Sequence, residues 1–258
     1  MSVYVATTIL LMWLAFPFAQ WVGLLSVIVA TMITIGWWER GRWRLGLFVA
    51  PRLAISEFLT GSLFGAALVG FCALTVVLST GVRHAAGAGF PWLELLAVFL
   101  PAAVHEELLF RGYAFQKLFV WNRIFALLAG AFLFTLLHFG NPSVSLIGLA
   151  NIFLGGILLG LAYARHLRLW FPIGLHLAWN LMTGPILGHE VSGYESVSTV
   201  LIEVGTGPAW LTGGEFGIEG SVWMSAAELA GIVLLWQSHR GEPQHQASMK
   251  NEEPPASR

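Results

Sequence analysis

The sequence predicts an all-α fold, a polytopic membrane bundle of about eight transmembrane helices around a buried polar cavity. Of its 258 residues, 57% are hydrophobic and 10% charged, where a soluble domain carries roughly 25% charged residues. Mean hydropathy is +0.74. Apolar stretches recur at the length needed to cross a bilayer, about 20 residues, and polar or Gly- and Pro-containing breaks separate them. The net charge of −1 and the lack of a basic tract exclude nucleic acid as a partner. The lipid bilayer is the expected partner instead. All 14 acidic residues are Glu, and the single cysteine, Cys72, excludes an intrachain disulfide or a Cys-based zinc site.

The opening apolar run from Val3 to Trp38 lacks a basic leader and a small-residue cleavage site, so it is expected to stay in the membrane. It is too long for one crossing, and Pro17 and Gln20 among aromatic residues suit an interfacial turn. Helices are expected at 3–17 and 20–38, with one long kinked helix as the alternative. A basic loop with Arg40, Arg42, Arg44 and Arg52 follows, then a helix over 55–80 and a Gly/Ala-rich loop over 81–89. The next helix is predicted over 91–115. Lys117 and Arg123 bracket a turn, and a helix over 124–139 ends at Gly140-Asn141-Pro142, a strong breaker. A helix over 144–164 carries Gly155, Gly156 and Gly160, small residues that admit a close neighbour. Further helices are expected at 170–187 and 221–237, joined by a Gly- and Glu-rich loop over 188–220. The organisation is therefore 1–89 for the N-terminal helices, 90–187 for the core, 188–237 for the loop and last helix, and 238–258 for a disordered polar tail.

Apart from Arg83 and Arg111, every Lys and Arg falls in the segments 39–52, 116–123, 165–168 or the tail. With the helices counted as above, the positive-inside rule puts these segments and both termini in the cytoplasm and the loop over 188–220 outside. The expected location is a prokaryotic cell membrane, crossed several times.

The chemistry concentrates in three of the helices. Glu106 and Glu107 are adjacent carboxylates in a segment otherwise rich in Leu, Ala, Val, Phe and Pro. Ionisable residues in such a setting are costly and normally functional. Glu107 and Arg111 stand at i and i+4, so they share a helix face and can pair. His138 follows Phe134 by one turn, and Asn180 follows His176 by one turn. His105-Glu106 suggests a zincin helix, but the second histidine of H-E-x-x-H is replaced by Leu109, so that motif fails. Glu106 can serve as general base on a water. His138, His176 and Asn180 can hold that water, bind a metal, or stabilise an oxyanion. His105, Asn151 and Glu228 are taken as packing or hydrogen-bonding residues, and His84 and His189 as loop residues. At 1.5 Å per residue, these boundaries put His138 roughly 21 Å from the cytoplasmic face, deeper than Glu106 and His176. A shared site therefore requires a broken or tilted helix.

Three motifs in this order resemble the CPBP intramembrane proteases, the family of type II CAAX prenyl proteases and bacteriocin-processing or Abi proteins. They are Glu106-Glu107-Leu108-Leu109-Phe110-Arg111, Phe134-Thr135-Leu136-Leu137-His138 and His176-Leu177-Ala178-Trp179-Asn180. The resemblance covers about residues 90–187. It implies an intramembrane endopeptidase in which Glu106 activates water, His138, His176 and Asn180 line the site, and Glu107, Arg111 and Phe134 support it. It also implies a membrane-anchored or lipidated protein or peptide as substrate, as in removal of the last three residues of a prenylated CAAX protein. Zinc on Glu106, His138 and His176 stays open, since Asn is not among the usual zinc ligands. Two other classes remain beside the protease. One is a non-catalytic immunity or scaffold protein. The other is a proton- or ion-coupled transporter, which the lack of an internal repeat argues against.

Overall fold

A computed structural model describes residues 19–40, 43 and 45–239. The helix expected over 3–17 and the tail from residue 240 lie outside the described residues. Helix α1 (Ala19–Trp38) is long and apolar and ends in a π turn, Thr34–Trp38. Helix α2 (Pro51–Thr80) begins four residues earlier than predicted, because Pro51 at the first helical position supplies a preset φ and needs no donor. It stops at Gly81, whose φ of 75° is the left-handed cap that glycine adopts without penalty. Inside it, Ser62 and Thr75 donate to carbonyls four residues back, Phe58 and Phe71, which satisfies their hydroxyls within the helix.

The helix predicted over 91–115 is broken. A short α3 (Trp92–Glu94) passes through a π turn, Leu95–Phe99, into α4 (Leu100–Phe110), which ends at Arg111. Helix α5 (Tyr113–Trp121) then starts afresh. Gly112 permits the break: a Cβ there would sit 1.9 Å from the Leu108 carbonyl oxygen. Helix α6 (Arg123–His138) is capped by Asn122, whose side chain accepts from Phe125 N–H, and α7 (Leu146–His166) by Ser145, which accepts from Gly148 N–H. Helix α8 (Trp170–Leu181) runs into a π turn, Met182–Ile186, and α10 (Val222–His239) closes the described chain.

Three described helices, Ala19–Trp38, Pro51–Thr80 and Leu146–His166, are long and apolar enough to cross a membrane; Arg123–His138 and Val222–Ser238 are shorter apolar helices. The fold is mostly helical, as expected.

The segment 188–220 is more than a loop. A strand β1 (Arg83–Ala86), in the stretch expected as a plain loop, pairs antiparallel with β2 (Leu201–Val204), His84 lying opposite Glu203. A helical turn α9 (Ala209–Thr212) and two 3-10 turns follow, and Phe216 and Ile218 are fully buried against the helices.

The tightest helix contact sets the position of α8. A Cβ on Gly61 would meet the Phe171 carbonyl oxygen at 2.1 Å, and one on Gly174 the Phe58 carbonyl oxygen at 2.1 Å. Backbones approach this closely only through residues without side chains. Helix α8 is thereby pressed against α2, and its opposite side carries His176 toward α4.

Candidate active site

Glu106 and Glu107 lie in the last turns of α4, and Arg111 follows at its end. Glu107 and Arg111 are almost wholly buried, at 0% and 1% exposure. Arg111 Nη1 donates to Glu107 Oε1 at 3.0 Å, and Nη2 donates to the Gly156 carbonyl of α7 at 3.1 Å. The guanidinium also lies over the Phe134 ring, 5.0 Å from its centroid. A buried charge is tolerated when it is paired and its donors are used, and Arg111 meets both conditions.

Glu107 Oε1 has a second partner. His176 Nδ1 lies 2.8 Å away, so the imidazole donates to the carboxylate and turns its Nε2 toward Glu106. The Nε2 to Glu106 Oε2 distance is 3.8 Å, beyond direct hydrogen bonding, and Oε2 is buried without a partner among the described residues. His138, at the end of α6, is set in the same way. Its Nδ1 lies 2.7 Å from the Phe134 carbonyl oxygen, an acceptor, so Nδ1 is the protonated nitrogen of that bond. Phe134 itself lies between functional groups, its ring tilted against His138 with centroids 4.4 Å apart and edge-on to His176 at 6.3 Å.

A cavity of about 390 Å³ joins these side chains: Glu106, Phe134, His138, His176 and Asn180 all line it. The depth mismatch expected from one long helix over 91–115 does not arise, because α4 stops at Phe110 and α5 leaves separately. Apolar walls from Phe99, Phe110, Leu158 and Leu175 surround the polar group.

Residues that the sequence assigned to packing or to the loop also line the cavity, among them His105, Asn151, Glu219 and Glu228. His105 Nδ1 is buried without a partner among the described residues, and its ring meets α1 at Gly23, where a Cβ would come within 2.7 Å. Glu219 accepts from Trp179 Nε1 at 2.7 Å and from Ser192 N–H and Oγ at 2.5 and 3.0 Å, so it ties α8 to the loop that follows it. Asn151 donates to the Glu219 and Ser221 carbonyls at 2.7 and 2.8 Å. An ionisable or amide side chain inside an apolar helix was the available signal for Glu228 and Asn151. Glu219, in a Gly-rich loop, carried no such signal.

Among the described residues, no group of three His, Cys, Asp or Glu side chains is gathered closely enough to hold a metal ion. Of the set considered for zinc, Glu106 and His176 approach each other, and His138, held at Nδ1 by the Phe134 carbonyl, keeps Nε2 as its ligand atom. The side chains as arranged do not form a zinc shell, which needs nitrogen and oxygen ligands about 2.0–2.2 Å from a common centre.

No match is found among curated proteins or among solved structures. Residues 88–182 match the family model described as type II CAAX prenyl endopeptidase Rce1-like, and this matched segment, similar to the CPBP and CAAX proteases, carries Glu106, His138, His176 and Asn180.

Proposed function

We propose that the chain is an intramembrane endopeptidase that hydrolyses a peptide bond with a water activated by Glu106. The single observation that carries this reading is the 3.8 Å separation of Glu106 Oε2 and His176 Nε2 across a shared cavity. A water between them is polarised from both sides. Glu106 takes its proton as the oxygen attacks the substrate carbonyl carbon. The carbonyl π electrons move to oxygen, and the Asn180 amide N–H stabilises that oxyanion. Collapse breaks the C–N bond, and the proton held by Glu106 passes to the leaving amine. Glu107 and Arg111 act behind the reacting atoms, fixing the His176 ring so that Nε2 stays on the water.

The apolar walls support a substrate delivered from the bilayer, a membrane-anchored or lipidated protein. About eight crossings, with both termini on the side of the basic loops, are the topology that goes with this reading. Loss of Glu106-dependent fragments is the test. Membranes carrying Glu106→Ala, folded and inserted, are expected to lack C-terminal fragments that the unaltered protein generates, and cleavage that survives the substitution would overturn the reading. Metal analysis tests the zinc expectation separately: stoichiometric zinc would draw Nε2 of His138 and of His176 together with the Glu106 carboxylate, with both Nδ1 hydrogen bonds kept.

A further inference from the structure

Away from the cavity, two histidines face each other through the same ring nitrogen. His84 belongs to β1, and His189 follows the π turn that ends α8, its backbone N–H bonded to the Thr183 carbonyl. Their Nε2 atoms stand 3.2 Å apart and their ring centroids 5.1 Å apart, with the planes 85° to each other. A straight N–H···N bond of that length would hold the centroids about 5.5 Å apart. The rings are therefore bent off the line that joins the two nitrogens.

Two imidazoles on one tetrahedral zinc ion, at Zn–N lengths of about 2.0–2.1 Å, have their nitrogens about 3.3 Å and their centroids about 5.1 Å apart. Both distances of this pair fit that geometry. His189 is 2% exposed, and its other ring nitrogen, Nδ1, lies 2.5 Å from Oε2 of Glu203, the cross-strand neighbour of His84. A carboxylate at that atom keeps the proton on Nδ1 and leaves Nε2 its lone pair, which is how metal-ligating histidines are oriented. Arg83, the adjacent cation in β1, alternates to the opposite face of the strand.

We infer that His84 and His189 hold a zinc ion between their Nε2 atoms, with Glu203 orienting His189 and water filling the remaining positions, and that the ion clamps the β1–β2 ribbon to the segment after α8. Two side chains suffice for such an open shell, so a third protein ligand is not required. The consequence reaches the cavity. Val191 and Ser192, just beyond His189, line it, so an ion at the ribbon steadies one of its walls. The inference stands apart from the peptidase reading and from zinc on Glu106, His138 and His176.

The experiment follows amide exchange of residues 83–86 and 201–204 in the full chain in detergent at neutral pH, stripped with a chelator and then titrated with zinc. An ion that binds the closed ribbon and not the opened one is expected to slow exchange about tenfold at ten times its half-saturating concentration. Magnesium, which prefers oxygen ligands, is expected to leave exchange unchanged. His84→Gln is expected to abolish the zinc effect, and Glu203→Gln to weaken zinc binding by about 10–100-fold. Glu106→Gln is expected to keep the protection, and its loss there would move the ion to the cavity and overturn the inference. No slowing in the unaltered chain, or slowing that survives His84→Gln, would overturn it as well. Should His84→Gln open the ribbon before zinc is added, Glu203→Gln decides, and an unchanged zinc dependence in that variant counts equally against the clamp. Metal analysis of His84→Gln then counts zinc in the cavity alone.

Discussion

Glu107 and His176 meet at 2.8 Å through Oε1 and Nδ1, in a space where the carboxylate is fully buried and shares the same oxygen with Arg111. One oxygen thus couples the end of α4 to α8 and sets which imidazole nitrogen faces the cavity. The adjacent carboxylates part here: Glu107 is engaged by Arg111 and His176, and Glu106 lines the cavity.

Glu107→Gln is expected to destabilise the protein by about 3–5 kcal/mol, because the Arg111 cation remains buried after its counter-charge is gone. Arg111→Met in the Glu107→Gln background removes that uncompensated cation and is expected to recover part of the loss. Thermal unfolding in detergent reads both. Equal stability of Glu107→Gln and the unaltered chain would show that the pair is not what holds α4.

Gly112→Ala tests the break between α4 and α5. The added methyl group would lie 1.9 Å from the Leu108 carbonyl oxygen, a backbone atom that cannot move without unwinding the end of α4. The variant is expected to lose folded yield or several degrees of thermal stability. Gly70→Ala in α2 is the control. Nothing lies within 4 Å of a Cβ there, and a helical alanine is favoured over glycine by roughly 0.5–1 kcal/mol, so stability should hold or rise.

The break is also the clearest place where sequence and structure part. Phe110-Arg111-Gly112-Tyr113 continues an apolar, helix-compatible run, and one interior glycine costs a helix only about 1 kcal/mol. Packing of Arg111 against Gly156 and Phe134 decides the end of α4, and that contact is not written in local spacing. Helices α2, α6, α7 and α10 were legible because length, apolar content and breakers agree, and Asn122 and Ser145 mark two starts. The ribbon was not legible. Arg83-His84-Ala85-Ala86 shows no alternation, and its partner Leu201–Val204 lies far along the chain. Glu106, His138, His176 and Asn180, which line one cavity, were singled out by residue type on three helices. Glu219 was not, since its role comes from the fold of a loop that buries Phe216 and Ile218.

The β1–β2 ribbon should be sensitive to acid. His84 Nε2 and His189 Nε2 stand 3.2 Å apart, an arrangement that needs one nitrogen to accept, and His189 Nδ1 lies 2.5 Å from Glu203 Oε2. Burial, and after it the neighbouring His189, hold the His84 imidazole below its ordinary value of 6.5, with Glu203 opposing. The unfolded segment therefore binds more protons than the folded one as pH falls through that value, and ribbon stability declines toward acid. Amide exchange of residues 83–86 is expected to speed up on going from neutral pH to below 6.5, after correction for intrinsic exchange, and His84→Gln should flatten the dependence. An unchanged profile in His84→Gln would remove His84 as the cause.

Asn151 provides a test in which chemistry and size separate. Its Nδ2 donates to two carbonyls of the folded-back loop, Glu219 O at 2.7 Å and Ser221 O at 2.8 Å, while its Oδ1 accepts from Ser225 Oγ at 2.5 Å. Asn151→Ala removes both donors, leaving the Glu219 carbonyl without its partner and the Ser221 carbonyl with only the 3.4 Å bond from Ser225 N–H, a loss of about 1–3 kcal/mol for the group left unsatisfied. Asn151→Asp keeps the shape but places an acceptor oxygen against two carbonyl oxygens, adding repulsion to the same loss. The expected order of thermal stability is therefore Asn, then Ala, then Asp. Because Glu219 also holds Trp179 and Ser192, both variants are expected to loosen the loop over the cavity and raise proteolytic nicking within 188–220. An Asp variant as stable as Ala would mean that the aspartate is protonated and donates, or that the loop is held by Phe216 and Ile218 alone.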